Sequence, residues 1–432
     1  MAHQSSAPAK WLKWLTPGIG IKRWFGLLLF GAALMGLSFA ALLVEVYHLQ
    51  PELLQPVLFP SSGAVLWPWA LLGGIAGLAL VLMAAVRISR SLLAPLAMDG
   101  GALVDAMVEH RQRQRGPRIV AIGGGTGLPT LLRGLKGYTA NLTAIVTVAD
   151  DGGSSGKLRR EMDILPPGDL RNNIAALARD EDLMTQLFHY RFGEGLEHHS
   201  FGNLFITAMQ GITGSFESAI MESSRVLAIR GQVMPSTLEN VTLMADVRMP
   251  DGNGLRRVSG ESAIPKQSGV IDRVFLVPED VPAYPEARRA ILNADLIVIG
   301  PGSLFTSILP NLLIHDIAQA VRASKAMKVY VCNVATQQGE TDGFSVVDHV
   351  AAIERHVGKG LIEHVIANDE FPSLKDDSRT IYVQTGTPGS EYDHISFHTA
   401  PLVDGQRPWR HDSVKLARAI VRLFEQSRQA AP

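Results

Sequence analysis

The chain has 432 residues, room for two or three domains, and a formal net charge of -1 from Lys+Arg 40 against Asp+Glu 41. That balance argues against a nucleic-acid-binding surface, which would need a basic excess on one domain. The single cysteine, Cys332, excludes an intramolecular disulfide and a cysteine-built zinc site.

The first element in chain order is apolar. Trp24 to Val44 carries no charge, and neither does Val65 to Val86. About 20 apolar residues suffice for a helix to cross a bilayer core. The connection Glu45 to Ala64 contains Glu45 and Glu52 but no Lys or Arg, whereas Lys10, Lys13, Lys22 and Arg23 flank one side and Arg87 and Arg90 the other. The positive-inside rule puts both ends in the cytoplasm, and Trp11, Trp14, Trp24, Tyr47, Trp67 and Trp69 fall where aromatic belts form. A cleaved export signal would carry the rest of the chain outward; the second run and its basic flank argue for an anchor instead. A buried soluble hairpin is the other alternative. Neither span holds an ionisable side chain, which fits an anchor and not a transport path. Residues 1–90 therefore read as a cytoplasmic-membrane anchor with two transmembrane helices. Residues 91–116 read as a basic linker, with Asp99-Gly-Gly101 breaking the pattern. Its Arg111-Gln-Arg-Gln-Arg115 is either a solvated flank or a contact for anionic headgroups.

Residues 117–426 alternate short apolar runs with helical patterns, which implies an open parallel sheet covered by helices on both faces, an α/β fold. Strands are expected at Arg118–Ile122, Leu142–Ala149, Leu296–Ile299 and Val329–Cys332, and helices at Leu128–Leu135 and Asn172–Ala178. Residues 232–277 break the rhythm. Val241 to Val247 is apolar at its odd positions, Asp251-Gly-Asn-Gly254 reads as a turn, and Val258–Ile264 reads as a returning strand, so a β-rich insertion is expected. The last helix is expected to start at Asp412 as N-cap and to bury Val414, Ala417, Ile420, Val421 and Phe424, with 427–432 a tail.

The chemistry lies at the strand ends. Gly123-Gly124-Gly125-Thr126-Gly127 follows a strand and opens a helix, so its backbone can approach a diphosphate beside the amides of a helix start. The spacing is not that of a dinucleotide fingerprint, and no Walker lysine follows. Asp150 and Asp151 end the second strand; one could bind a ribose hydroxyl, hold Mg²⁺ or orient an attacking hydroxyl, or simply cap the turn. Gly152 to Gly156 reads as a mobile, donor-rich loop. In Pro166-Pro-Gly-Asp-Leu-Arg-Asn-Asn173, Asp169 is placed to cap a helix, with Arg171 and Asn172 in its first turn as an anion site or as a local Asp–Arg pair. Asn203 could read a base or sugar edge. His198 and His199 point to a metal only weakly, and no metal site is expected. In Gly300-Pro-Gly-Ser-Leu-Phe-Thr-Ser307, Gly300, Gly302, Ser303 and Thr306 offer backbone and hydroxyl groups and Phe305 a ring near base or sugar, with Asn311 following. Asn333, Thr336, Gln337 and Glu340 add donors and acceptors on the same rim, and Cys332 reads as a small core residue.

Residues 117–426 resemble the YvcK-type gluconeogenesis factors, related to 2-phospho-L-lactate transferase (CofD). The six motifs occur in order: Gly-Gly-Gly-Thr-Gly, Asp-Asp-Gly-Gly-Ser-Ser-Gly, Pro-Pro-Gly-Asp-Leu-Arg-Asn, Gly-Asn-Leu, Gly-Pro-Gly-Ser-Leu and Cys-Asn-x-x-Thr-Gln-x-Gly-Glu-Thr. The resemblance implies a Rossmann-like domain that binds a UDP-sugar, UDP-N-acetylglucosamine in particular. It also implies roles in gluconeogenic growth, cell shape and wall-precursor allocation, with cell-wall synthesis proteins as partners. The transferase relatives move a phospholactyl group from a guanosine diphosphate donor to the deazaflavin precursor Fo, with Mg²⁺. Carried onto this chain, 123–127, Asp150 or Asp151, Asn203, 300–307 and 333–341 would line the crevice. The resemblance implies Tyr in many relatives where this chain has Phe305; if that hydroxyl contacts the sugar nucleotide, its absence here would change affinity. The apolar hairpin lies outside the resemblance.

The leading expectation is a membrane-tethered, cytoplasm-facing UDP-sugar-binding regulator. The alternative is an Mg²⁺-dependent phospholactyl transferase in which Asp150 or Asp151 acts catalytically. An NAD-dependent dehydrogenase is disfavoured by the glycine spacing.

Overall fold

The computed structural model describes residues 21–49, 67–93, 113–178, 181–193, 196, 198–250, 254–373 and 381–430. The 50–66 connection, most of the 91–116 linker, Trp11, Trp14 and the 251–253 turn lie outside the described residues. The chain divides into two compact units, Met1–Glu109 and His110–Pro432.

In the first unit, helices Ile21–Leu49 and Trp67–Leu93 pack side by side. Within them, Trp24–Val44 and Leu71–Ile88 are long and apolar enough to cross a membrane. Small residues make the contact. A Cβ built on Gly77 would stand 2.8 Å from the Gly31 carbonyl and 2.6 Å from Met35 Cγ, and one on Gly73 would stand 2.5 Å from Ser38 Oγ. Backbones come this close only where side chains are absent, as in apolar helix pairs. Phe25, Leu29, Phe30, Leu37, Phe39, Leu72 and Ile75 are exposed on the outside of the pair, as lipid contact requires and water disfavours.

The second unit is a seven-stranded parallel sheet in the order β10-β9-β8-β7-β1-β2-β3. Its strands are β1 Ile119–Gly123, β2 Leu142–Val146, β3 Gln232–Pro235, β7 Leu296–Ile299, β8 Met327–Val331, β9 His364–Asn368 and β10 Ser396–Ala400. β1, β7 and nearly all of β2 and β8 are buried on both faces, which is why they read as continuous apolar runs. Sequence order reverses at β1: β2 lies on one side and β7 on the other. Such a switch point leaves a crevice beyond the carboxyl ends of the strands.

The insertion is a separate antiparallel sheet, with β4 Thr242–Arg248 between β5 Leu255–Ser259 and β6 Val270–Val277. The odd positions Leu243, Ala245 and Val247 of β4 are fully buried, as alternation predicts. The returning strand is β5 and stops at Ser259, earlier than the expected Val258–Ile264. Ile264–Lys266 is a 3₁₀ turn.

Three further local expectations change. β2 stops at Val146, so Asp150 and Asp151 sit in the following loop and not at the strand end. Gly153–Met162 is a helix, not a mobile loop. The last helix, Ser413–Ala430, does take Asp412 as cap, with Oδ1 accepting from the Val414 and Lys415 amides at 2.9 and 2.8 Å. It buries Leu416, Ala417, Ile420 and Phe424, whereas Val414 is 54% exposed. The helical phase was right for the core stripe, but Val414 falls at the cap, before that stripe begins.

Candidate ligand crevice at the sheet switch point

The glycine turn after β1 is held from three sides. Asn311 Nδ2 donates to the Gly123 carbonyl at 3.0 Å, Asn173 Nδ2 to that of Gly124 at 3.1 Å, and Asn172 Nδ2 to that of Gly125 at 2.8 Å. The absence of side chains is what lets the neighbouring elements close in. A Cβ on Gly125 would stand 2.2 Å from Asp169 Oδ1, and one on Gly127 2.4 Å from the Pro301 carbonyl. The 123–127 turn, the 300–307 segment and the 168–173 helix start therefore share one place in space.

Asp169 is not the N-cap that the sequence suggested. Pro167 occupies that position in the helix Gly168–Leu177. Asp169 sits in the first turn and accepts a hydrogen bond from the Gly125 amide. Burial first, then the Asp150 charge, pushes its carboxyl up to about 7. Arg171 turns away from a simple pair with Asp169. It donates to Ser200 Oγ at 2.5 Å, to Asn203 Oδ1 at 3.1 Å and to Asn172 Oδ1 at 2.7 Å. Burial, with Arg191 nearby, lowers its pKa to about 10, leaving it charged at neutral pH. Asn203 passes the network on, donating to Ser154 Oγ at 2.9 Å, and Ser154 Oγ lies 2.9 Å from His199 Nδ1. His199, Ser154, Ser200 and Asn203 are all buried. Asn203 thus fixes the start of helix Gly153–Met162.

The two aspartates have different settings. Asp150 Oδ1 accepts from the Gly152 amide at 2.9 Å, and burial raises its pKa. Asp151 Oδ1 accepts from the Ser262 amide at 2.9 Å, on the turn that follows β5. That turn brings in Glu261, which sequence reasoning missed. Burial, then the charges of Asp150, Asp169, Glu340 and Asp151, push the Glu261 carboxyl up to about 8. The same arm reaches the opposite rim, where a Cβ on Gly339 would stand 1.9 Å from the Pro265 carbonyl. Glu261 lies more than a hundred residues from Asp151 in sequence, so no local pattern announces it.

On the β7–β8 side, Asn333 makes a two-way clasp on Gly302. Its Oδ1 accepts from the Gly302 amide at 3.2 Å and its Nδ2 donates to the Gly302 carbonyl at 2.9 Å. Gln337 Nε2 donates to Ser303 Oγ at 2.6 Å, and Thr306 Oγ1 to Glu340 Oε1 at 3.1 Å. Burial pushes Glu340 up to about 7, against the hydrogen bonds from Thr306. Gly300 has a φ of +81°, a conformation glycine adopts freely. Phe305 does not face the crevice: it is 2% exposed and packs edge-on against Phe344 and His356. A turn of π-helix over Leu304–Ile308 rotates it into the core. Asn311 is fully buried and positions the glycine turn from behind.

A pocket of about 390 Å³ with mixed polar and apolar walls opens beside these loops. Thr126, Gly127, Gly302, Ser303, Thr336 and Gln337 line it, and so does a segment that sequence reasoning left out, Trp409–His411. Predicted residues from three of the motif regions, 123–127, 300–307 and 333–341, meet here, whereas Asp150, Asp151, Arg171, Asn172 and Asn203 do not line it. Asp150, Asp169 and Glu340 belong to the carboxyl cluster next to it. Among the described residues no three His, Cys, Asp or Glu side chains are grouped as a metal ion requires.

An open parallel sheet with helices on both faces and a glycine-lined crevice at its switch point defines the doubly wound class of ligand-binding α/β proteins. Within that class the chain belongs to the CofD family: the model for 2-phospho-L-lactate transferase CofD matches residues 119–417. A candidate gluconeogenesis factor of Nostoc sp. is 45% identical over 434 residues, covering 96% of this chain and 93% of that protein, so the alignment reaches into the apolar N-terminal helices. The gluconeogenesis factor of Bacillus subtilis is 53% identical over 256 residues, 59% of this chain and 79% of that one. A crystal structure of a UPF0052 family member from Bacillus halodurans superposes with a TM-score of 0.65 at 44% identity, covering 71% of this chain and 99% of that chain.

Proposed function

We propose that this protein is a UDP-sugar-binding regulator of gluconeogenic growth and cell shape, held at the cytoplasmic membrane by its N-terminal helix pair. The observation that carries this reading is the junction of Gly123–Gly127, Gly300–Ser303 and Asn333–Gln337 around one pocket. Backbone amides, hydroxyls and carboxamides suit a diphosphate and a sugar. Relatives at 52% and 53% identity that carry the name gluconeogenesis factor support the physiological part. UDP-N-acetylglucosamine is the ligand that the family resemblance favours, and wall-synthesis proteins are the partners.

Binding is favoured over phosphoryl transfer by the state of the two aspartates. A transferase reading needs Asp150 or Asp151 to orient an acceptor or to hold Mg²⁺. Asp150 and Asp151 each accept a backbone amide through Oδ1 and so hold their loop in place, a structural role the binding reading uses directly. The ionisable-free stretches Trp24–Val44 and Val65–Val86 and the basic flanks of the sequence support a tether with the second unit in the cytoplasm.

Calorimetry of the full chain in detergent micelles with UDP-N-acetylglucosamine tests the ligand: saturable heat below millimolar concentration is expected, and none at millimolar ligand would refute the reading. Reporter fusions at residue 57 and at the C-terminus test the sidedness. The expected result is opposite sides of the membrane.

A further inference from the structure

The loop between Val403 and His411 is tightly closed. The Asp404 amide donates to the Arg410 carbonyl at 2.9 Å and the Arg410 amide to the Arg407 carbonyl at 2.8 Å. Asp404 Oδ1 accepts from the Gln406 and Arg407 amides at 2.8 and 3.1 Å. His411 locks the loop to the end of β8, with Nε2 3.1 Å from the Cys332 carbonyl. Burial holds the His411 pKa down at about 4, so the ring is neutral and its one N–H donates to that carbonyl. The next residue along from Cys332 is Asn333, which clasps Gly302. The loop is therefore built into the same frame as the crevice.

Trp409 stands on this frame, 48% exposed, at the wall of the 390 Å³ pocket that Arg410, His411 and Thr126 and Gly127 of the glycine turn also line. A large aromatic left half in water on a backbone fixed by hydrogen bonds is held ready for a flat partner. The other pocket walls are hydroxyls, carboxamides, backbone and the small apolar side chains of Pro301, Val334 and Ala335; the only other aromatic ring among them, His411, is buried, so Trp409 offers the one exposed aromatic face among the described lining residues. We propose that Trp409 is the stacking platform for the base of a bound nucleoside diphosphate, with Arg410 the cation beside its phosphates. The inference rests on the nucleotide reading above and assigns the end of the pocket that takes the base. Stacking is tolerant of base identity because every base has a π face, so Trp409 supplies affinity for the nucleoside as such. Guanidinium groups beside a glycine turn supply charge for the diphosphate.

The test uses the full chain in detergent micelles with four probes: UDP-N-acetylglucosamine, UDP, uridine and N-acetylglucosamine 1-phosphate. Five of the six tryptophans lie in residues 1–109, so the difference between wild type and Trp409→Phe isolates the emission of Trp409. Expected are a quench of that emission by UDP-N-acetylglucosamine and by UDP, none by N-acetylglucosamine 1-phosphate, and near-normal affinity in Trp409→Phe. Trp409→Ala should weaken both uridine nucleotides by roughly ten- to a hundredfold, and Arg410→Gln should weaken UDP but not uridine. If UDP-N-acetylglucosamine binds but Trp409 emission is unchanged and Trp409→Ala binds within twofold of wild type, the platform is wrong and the UDP-sugar reading stands. If wild type binds no uridine nucleotide, both fall. The emission readout needs no alanine variant, so misfolding of Trp409→Ala would not obscure the answer.

Discussion

The Asp151 carboxylate accepts the backbone amide of Ser262 at 2.9 Å, joining the loop after β2 to the turn after β5 across more than a hundred residues of chain. Gly260, on the same turn, has a φ of +101°, and a Cβ there would stand 2.2 Å from Asp151 Oδ2. The contact sets Glu261 among the crevice carboxyls. Asp151 is thus a positioning residue in this geometry.

Asp151→Ala is therefore expected to lower stability by about 1–3 kcal/mol, the scale for losing a hydrogen bond to a charged group. Asp151→Asn keeps an acceptor oxygen and should lose less. Gly260→Ala should resemble Asp151→Ala, because it drives a methyl group into the same carboxylate. Thermal melts of the three variants in one detergent check the order.

Gly125→Ala places a methyl group against both the side chain and the Cα of Asp169, at 2.2 and 2.7 Å. Neither the helix start nor the carboxyl can retreat without breaking the Asn172 and Asn173 bonds to the turn. Overpacking on this scale is expected to cost about 1–3 kcal/mol, a Tm drop of roughly 2–10 °C, together with loss of UDP-N-acetylglucosamine binding. Melts and calorimetry on the same preparation check it.

Glu261→Gln should change how stability depends on pH. The folded pKa of Glu261 is about 8 against an ordinary 4.5. The folded state therefore binds more protons than the unfolded one between those values, and stability falls as pH rises through that window. Below the lower value both states are protonated and the contribution is fully present. Glu261→Gln removes this one contribution, so its stability should match that of wild type near pH 4.5 and exceed it at pH 8 and above. Asp169 and Glu340, each raised to about 7, keep a shallower fall of the same sign in the variant. Melting temperatures of both proteins across the range measure the difference.

In the apolar unit, Gly77→Leu would force the helices apart at the Gly31 carbonyl and Met35, where a Cβ already stands 2.8 and 2.6 Å away. Gly36→Leu, with open space around it, should do nothing. The efficiency of a disulfide crosslink engineered between the two helices should fall sharply for the first variant and stay unchanged for the second.

Much of the fold was legible because its signals are local. The apolar runs of β1 and β7 and the alternation in β4 marked buried parallel and half-buried antiparallel strands, and Asp412 marked the last helix. The errors came where a tertiary contact overrode a local preference. Gly152 to Gly156 looked like a loop, yet Gly153–Met162 is helical, and Asn203, a residue far away in sequence, holds the Ser154 hydroxyl in its first turn. Phe305 looked like a ligand ring because it lies in a glycine- and hydroxyl-rich segment, Gly300–Ser307, but the π-turn gives it to Phe344 and His356.

The sequence by itself determined the elements, the two long apolar helices, and the glycine turn at the end of β1, because hydrophobic periodicity and the freedom of a residue without Cβ act over a few neighbouring positions. Only the tertiary structure decided which polar groups share the crevice. Glu261 arrives on the arm after β5, and Trp409 arrives on a loop pinned to β8. The strand order places β1 between β7 and β2, and burial of the shared core, not any nearby sequence signal, brings those distant segments to one edge.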